Sequence, residues 1–411
     1  MQDAAPTGAD DGLPFPALVE ALAADPERRE RLTELLREDH PLYDQRGAAA
    51  IVHMRGWVLL ALARTGVSDG ALLFVLEELD TGVDAYLVAA AARALRSYPQ
   101  PSAALAPFVA RALNTMRYHD DPVSFERYGD DAVASGGTSP MREVLATLAW
   151  LGPHARAALP AVEALGAHRG GLSRALQADV DRALGAIRAA ARHAAPGAEA
   201  CCALPGGLRR TWSWARGARR NGAAIESMMF EDHAGEMVTF KQVFAGHPSI
   251  VVFFFTRCDN PLKCSLTITK LARVQALLAA RGLAARIHTA AITYDPAFDL
   301  PDRLRGYGQH RGVRLDAGHR MLRAVDGVDG LRRHFGLGVN FIASLVNRHR
   351  IEVYLLDAAG RTAVSFERLH WDEQEVVERA VELLAETRDA SASEAAPPPA
   401  APSGRSAVPS A

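Results

Sequence analysis

Hydrophobic residues recur at helical spacing through the first half of the chain. Between residues 13 and 195 the sequence is rich in Ala, Leu and Arg and has few strand formers, which predicts helices. A short apolar segment ending in Gly or Pro, followed by a second apolar helix, recurs at 61–79, 94–113 and 147–165. The first two copies start 33 residues apart, a period typical of helix–turn–helix units that cover one another's apolar faces. We therefore predict an all-α repeat domain, with an ordinary helical bundle as the alternative.

These copies resemble degenerate HEAT-like repeats, so the fold predicted for residues 13–195 is a HEAT-like solenoid. An insertion at residues 114–139 separates the second copy from the third and contains the run YHDDPVSFERYGDD. Its polar side chains are candidates for an interaction site: Tyr118, His119, Asp120, Asp121, Tyr128, Asp130 and Asp131. Insertions in repeat domains often lie on the binding face, whereas the simpler alternative is a solvated loop.

The second half of the chain, residues 225–387, alternates strand-like and helical stretches, which predicts an α/β unit of thioredoxin-like type. Residues 225–244 alternate around Gly235 like a β-hairpin, and 249–255 form the continuous β-branched and aromatic run of a buried central strand. Further strands are predicted at 285–294, 340–347, 350–356 and up to residue 366, and helices at 265–281, near 302–311 and from Asp372. The predicted fold class is therefore multidomain, with an all-α domain followed by an α/β domain.

Composition and charge exclude several classes of protein. The 411 residues carry a formal net charge of −2, which argues against a globally basic nucleic-acid-binding protein. Four cysteines are too few for a disulfide-stapled secreted scaffold. The N-terminal residues lack the basic and apolar regions of a signal peptide, and no apolar stretch approaches the roughly 20 residues that span a bilayer. We therefore expect no nucleic-acid partner, no membrane span and a cytoplasmic location.

Two further segments differ in composition from the predicted domains. Residues 196–224 are rich in Gly and Arg, which predicts a basic linker. This linker contains the adjacent pair Cys201 and Cys202, for which a mutual disulfide is geometrically strained. Because no other ligand type lies nearby, we interpret them as exposed spectator thiols, with a relay to a metal as the alternative. Residues 388–411 are rich in Pro, Ala and Ser, which predicts a disordered tail.

Cys258 and Cys264 lie between the predicted central strand and the helix that follows it. A helix N-terminus favours thiolate over thiol and so lowers the pKa of a cysteine there. Two thiols in one short loop can close a disulfide or chelate a soft metal, and their spacing alone does not choose between these. In the first case Cys258 would be the nucleophile and Cys264 the resolving thiol of a thiol–disulfide oxidoreductase or a peroxide-handling enzyme.

Four motifs in this half of the chain occur together and in a fixed order. They are FFFTRCDNPLKCSLTITKL at 253–271, ITYDPAFDLPDRLRGY at 292–307, FGL at 335–337 and NRHRIEVYLLDAAGR at 347–361. Together they resemble the Sco/SenC copper-chaperone family over residues 225–387. The resemblance implies a thioredoxin-like fold in which Cys258, Cys264 and His349 bind copper and Asp295 has a structural role. The chain has five residues between the two cysteines where the family usually has three, and the family is usually membrane-anchored.

The chemistry of the three implied ligands agrees with copper. Two thiolates and one imidazole suit Cu(I) in trigonal geometry and hold Cu(II) with one further ligand, while Zn²⁺ would accept the same set with an open fourth position. We favour copper over zinc on the resemblance and on the higher affinity of Cu²⁺ for such sites. Residues 338–356 contain no proline, and a thioredoxin would place its cis-proline there. The prediction is thus a copper chaperone or metallated accessory factor whose helical repeats dock a protein partner. The alternatives are a thiol–disulfide oxidoreductase, a copper-dependent oxidoreductase and a non-catalytic scaffold.

Overall fold

The computed structural model describes residues 13–129, 137–189 and 225–394. The predicted basic linker, with Cys201 and Cys202, lies outside these ranges, as do Asp130 and Asp131 of the insertion. Among the residues described, none of the helices combines the length and the apolar character that a membrane span requires.

The first part of the chain is helical. Its α-helices are α1 (Phe15–Ala24), α2 (Glu30–Glu34), α3 (Ala48–Thr65), α4 (Asp69–Thr81), α5 (Ala85–Leu95), α6 (Ala106–Met116), α7 (Pro140–Leu151), α8 (Leu159–Ala167) and α9 (Arg174–Ala189). Short 3₁₀ segments connect them at Pro41–Tyr43, Ala103–Leu105, Gly152–Ala158 and Arg169–Gly171.

The helices alternate between two rows. α1, α3, α5, α7 and α9 pack one against the next, and α4 packs on α6 behind them. Side-chain caps start several helices: the Ser68 hydroxyl accepts from the Ala71 N–H, and Asp84 accepts from the Leu87 N–H. The prediction of an all-α domain is confirmed. The alternation of helices between two rows agrees with stacked helix pairs. That these pairs are HEAT-like repeats stays a prediction.

The insertion is held against the helices by its own polar and aromatic residues. Asp120 accepts a hydrogen bond of 2.9 Å from the Met141 N–H at the start of α7. The Tyr128 ring lies 5.8 Å from that of Phe15 and 5.9 Å from that of Trp57. Asp120 and Tyr128 thus act in packing, and within the described part of the insertion no metal-binding cluster forms.

The second part of the chain is built on a seven-stranded mixed sheet. Its strands are β1 (Met229–Asp232), β2 (Met237–Thr239), β3 (Ser249–Phe254), β4 (His288–Thr293), β5 (His319–Ala324), β8 (Glu352–Leu356) and β9 (Thr362–Glu367), in the order β2-β1-β5-β4-β3-β8-β9. The three middle strands β3, β4 and β5 are parallel, and the flanking strands are antiparallel. A separate hairpin is formed by β6 (Val339–Ile342) and β7 (Leu345–His349).

Helices cover this sheet. They are α10 (Phe240–Phe244), α11 (Leu266–Ala280), α12 (Pro301–Gln309), α13 (Asp329–Phe335) and α14 (Glu373–Glu394). Every residue of β3 is buried, as its unbroken apolar run predicts. The predictions of an α/β domain and of a hairpin at Gly235 are confirmed.

Several elements differ from the prediction. The stretch 340–347 is two strands, because the chain turns at Ala343, whose φ is 51°. Strand β5 and helix α13 were not predicted, and residues 240–244, predicted as part of the hairpin, form α10. The last helix continues to Glu394, past the predicted start of the tail at residue 388.

Three histidines meet at the edge of the sheet where the parallel strands begin. His247 precedes β3, while His288 and His319 are the first residues of β4 and β5. The His247 and His288 ring centroids are 3.4 Å apart, and His319 Nδ1 lies 3.0 Å from the Thr289 hydroxyl. Burial and the neighbouring rings of His247 and His319 lower the pKa of His288 to about 4. Asp316 raises the pKa of His288, and Arg320 lowers it.

We expect the fold to lose stability in mild acid because of this cluster. The unfolded chain binds the proton on His288 near pH 6.5 and the folded chain only near pH 4, so the stabilisation is complete above pH 6.5 and is lost as the pH falls to about 4. Because the ring is half-buried, we expect a loss of about 1–2 kcal/mol. Urea unfolding at pH 7 and pH 4.5 measures it, and His288→Gln should lose less over this range. An identical loss in the variant would contradict the assignment to His288.

Candidate metal centre

The topology of the sheet brings three soft or borderline ligands to one place. Cys258 lies in the loop that follows β3, and Cys264 in a π-helical turn, Pro261–Ser265, that precedes α11. His349 is the last residue of β7, and the next strand, β8, runs antiparallel beside β3 with Val353 opposite Val252. Because the end of β3 and the start of β8 coincide, His349 meets the cysteine loop.

The three side chains form a compact cluster. His349 Nε2 lies 3.5 Å from Cys258 Sγ and 3.4 Å from Cys264 Sγ, and all three ligand atoms are within 4.8 Å of one another. With metal–sulfur and metal–nitrogen bonds of about 2.3 and 2.0 Å, a trigonal metal places S and N about 3.7 Å apart. The observed spacing therefore fits a trigonal S₂N site. Within the described residues this is the one cluster of at least three His, Cys, Asp or Glu ligands that could hold a metal.

A backbone contact fixes which nitrogen of His349 faces the sulfurs. Its Nδ1 lies 3.0 Å from the carbonyl oxygen of Arg350, and since a carbonyl only accepts, Nδ1 carries the proton and donates it. Nε2 is then the ring nitrogen that faces Cys258 and Cys264, and it offers its lone pair to a metal bound there. This is the arrangement by which outer contacts orient a metal-binding imidazole. The ring also packs edge-on against Phe255, with 5.4 Å between centroids.

The two cysteines differ in their readiness to ionise. The pKa of Cys258 falls to about 3, because the hydrogen bond from the Cys264 thiol and then His349 outweigh the effect of burial. Burial, followed by the neighbouring Cys258 thiolate, raises the pKa of Cys264 well above its usual value. The pair therefore carries one thiolate and one thiol at neutral pH, and both cysteines are free rather than disulfide-bonded. A metal that binds both sulfurs must displace the remaining proton.

The turn after β4 holds the strand end that precedes Cys258. Asp299 accepts hydrogen bonds from the backbone N–H and the hydroxyl of Thr256. Asp295 is buried and pairs with Arg257, which immediately precedes Cys258. Asp295 therefore has the structural role that was expected of it, and it is not among the ligands.

The helical domain closes over the same loop. Asn260 donates a 2.7 Å hydrogen bond to the carbonyl of Thr81, and Lys263 Nζ lies 3.0 Å from Glu77 Oε1. A cleft of about 290 Å³ remains between the domains. Its walls include Glu78, Thr81 and Asp84 from the helical domain and Cys258, Asp259 and Arg348 from the other. Cys258 lines this cleft and is partly exposed, while Cys264 and His349 are buried.

Sequence reasoning found the three clustered side chains but missed the charged residues around them. Lys263 lies inside the cysteine loop, and Glu77 and Glu78 lie in α4, yet all three are buried. A signal was available in the run LLFVLEELD, because adjacent acids inside an otherwise apolar helix cannot share one solvated face. Glu77 meets Lys263, 186 residues further along the chain, and Glu78 meets Arg348, 270 residues further along, and no local pattern indicates these distances.

Comparisons with known proteins give matches to the second part of the chain. A family model described as SCO1/SenC matches residues 218–385. Among solved structures, a SCO1/SenC family lipoprotein from Bacillus anthracis is 19% identical, with a TM-score of 0.33 and coverage of 39% of this chain and 94% of that one. Yeast Sco1 with copper bound is 25% identical, with a TM-score of 0.31 and coverage of 38% and 90%. A comparison with curated proteins found no significant match.

Proposed function

Because residues 218–385 belong to the SCO1/SenC family, we propose that the chain binds one copper ion through Cys258, Cys264 and His349. It would act as a copper chaperone or a metallated accessory factor. The observation that carries the proposal is the cluster itself, in which two sulfurs and a lone-pair nitrogen lie within 4.8 Å of one another. Copper when bound there would supply a soft, exchangeable ion that cycles between Cu(I) and Cu(II).

Copper is favoured over zinc by the donor set. Two thiolates and one imidazole in a trigonal arrangement complete the coordination of Cu(I), whereas Zn²⁺ would need a fourth ligand. The five-residue spacing of the cysteines does not oppose this, because the π-helical turn Pro261–Ser265 carries the second thiol back toward His349. Local π-turns of this kind often occur at functional sites.

The helical domain is proposed to dock a protein partner through HEAT-like repeats. The alternation of its helices between two rows supports a repeat architecture. The overall charge of −2 supports a protein rather than a nucleic acid as that partner.

A competition titration tests copper binding. The reduced protein is titrated with Cu(I) against a chelator without oxygen, and the wild type should take up one equivalent. Cys264→Ser should bind at least tenfold more weakly, about 1.4 kcal/mol, because one of three ligands is lost. The matched control is the double variant Cys201→Ser/Cys202→Ser, which should bind like the wild type. Equal affinity in wild type and Cys264→Ser would refute the site.

One observation favours a second function, thiol–disulfide exchange. Cys258 has a lowered pKa and lines the cleft, while Cys264 is buried behind it, as in a nucleophile with its resolving partner. The Cys258 thiolate would attack a substrate disulfide and release one thiolate, and Cys264 would then displace the second as the Cys258–Cys264 disulfide forms. If His349→Ala leaves both disulfide exchange and copper affinity unchanged, this second function replaces the first.

A further inference from the structure

Lys263 links the helical domain to a metal ligand. Its buried ammonium donates a 3.0 Å hydrogen bond to Glu77 Oε1 and a 2.8 Å hydrogen bond to the backbone carbonyl of His349. Glu77 is fully buried in α4, and Lys263 directly precedes Cys264 in the chain. One side chain therefore joins the helical domain, the cysteine loop and the strand that carries the histidine ligand.

Glu77 is itself fixed by a second partner. Its Oε2 lies 2.9 Å from Arg368 Nη1, and the same nitrogen lies 3.0 Å from the Glu38 carboxylate. The Arg368 guanidinium also stacks 3.7 Å from the ring centroid of Phe74. Arg368 has a φ of 82°, a left-handed conformation that is uncommon outside glycine and that these contacts hold in place. The carboxylate that Lys263 meets is thus already oriented.

A second contact from α4 acts on the same loop. Asn260 donates to the carbonyl of Thr81, the last residue of α4, and its own side-chain oxygen accepts from the Leu262 N–H. Both anchors, Asn260 and Lys263, lie between the two cysteines. The end of α4 therefore holds the loop at two points, one near each thiol.

The junction around these contacts is made of buried charges of opposite sign. The helical domain contributes Glu38, Glu77 and Glu78 as well as Arg55, and the other domain contributes Lys263, Arg348 and Arg368. Interfaces of this polar kind separate more readily than apolar ones, because each charge regains its hydration when the surfaces part. When they part, Lys263 loses Glu77 and the His349 carbonyl loses an oriented donor.

We propose that Glu77 is a positioning residue of the metal centre, which acts through Lys263 on His349 and couples closure of the helical domain to copper affinity. The inference rests on the proposed copper binding and adds its regulation. Coupling of this kind is reciprocal, so copper also favours the closed arrangement of the domains. Release of copper is then promoted by whatever draws the end of α4 away from the cysteine loop.

Two isosteric variants in α4 test the positioning role. Glu77→Gln removes the charge that orients Lys263, and we expect Cu(I) affinity to fall about tenfold, the effect typical of an outer contact to a metal ligand. Asp80→Asn is the matched control, because Asp80 is also buried in α4 and accepts an interdomain hydrogen bond from the His370 N–H, yet has no hydrogen bond to the cysteine loop or to His349. Its affinity should change less than twofold. If Cu(I) affinity falls equally in both variants, Glu77 acts only in the stability of the interface and not on the metal centre.

A double-mutant cycle tests whether Glu77 acts through Lys263. If it does, Glu77→Gln should add no further loss of copper affinity in a Lys263→Met background. If the double variant loses affinity by the product of the two single losses, the proposed path from Glu77 through Lys263 to His349 is wrong.

A metal-free measurement separates this inference from copper binding itself. In the reduced apo protein the Lys263 N–H is bonded to the Asn260 carbonyl and the Arg350 N–H to that of Gly338. Amide hydrogen exchange at Lys263 and Arg350 should be faster in Glu77→Gln than in the wild type, and unchanged in Asp80→Asn. Unchanged exchange in Glu77→Gln would overturn the positioning role. If the wild type binds no copper but Glu77→Gln still shows the faster exchange, only the proposed function is refuted.

Discussion

Arg55→Met is expected to lower the free energy of unfolding of the helical domain by about 3–5 kcal/mol. Arg55 is fully buried, and its Nη2 lies 3.1 Å from Glu78 Oε1 and 3.2 Å from Glu38 Oε1. Burial alone would raise the pKa of Glu78, but Arg348 and then Arg55 reverse this and lower it to about 2. Without Arg55, two buried carboxylates keep their charge with fewer partners, and that cost appears as lost stability.

Urea unfolding at neutral pH measures the loss. The matched control is Arg64→Met, because Arg64 lies in the same helix and pairs with Glu20 at a site where both side chains are about half exposed. Exposed pairs contribute about 0–1 kcal/mol, so this variant should unfold almost like the wild type. If Arg55→Met, like Arg64→Met, unfolds almost like the wild type, the buried charge cluster does not stabilise the domain.

His349→Ala is expected to weaken Cu(I) binding about a hundredfold, which corresponds to about 2.7 kcal/mol. The imidazole is the one nitrogen ligand of the cluster, and the contact of Nδ1 with the Arg350 carbonyl already turns its Nε2 toward Cys258 and Cys264. The alanine variant leaves two sulfurs in a site shaped for three ligands. Competition titration against a chelator measures the loss.

His319→Ala is the control for this variant. Its ring is buried like that of His349, but it lies at the start of β5, where it pairs with the beginning of β4. The cysteine loop follows β3, which is parallel to β4, at the opposite end of the sheet, so copper affinity should not change. If His319→Ala weakens binding as much as His349→Ala, the effect of both is a general loosening of the domain.

Local patterns predicted most of the C-terminal fold and the three clustered residues. The buried run of β3 and the helix after Cys264 follow from periodicity. Strand β5 was missed because its sequence, HRMLRA, carries two arginines, whose side chains are only partly buried and pair with Asp232 and Glu231 of the neighbouring strand β1. A strand whose partly buried positions carry long, charged side chains lacks the apolar run by which β3 was recognised.

The contacts between the domains could not be predicted from either half alone. Lys263 was visible in the cysteine loop and Glu77 in α4, but their pairing depends on how two separately folded surfaces meet. The five-residue spacing of the cysteines does not show whether both thiols can reach one ion. In the structure a π-helical turn brings the second thiol to the site, and this turn depends on tertiary contacts such as the hydrogen bond from Asn260 to Thr81.

X-ray absorption at the copper edge tests the central claim most directly. The wild-type protein, reduced and loaded with one equivalent of Cu(I), is measured for the atoms that surround the metal. Two sulfurs and one nitrogen per copper are predicted, at distances typical of thiolate and imidazole ligands. A shell without sulfur, or one with sulfur that persists unchanged when Cys258 and Cys264 are both replaced by serine, would contradict the assignment of copper to Cys258, Cys264 and His349.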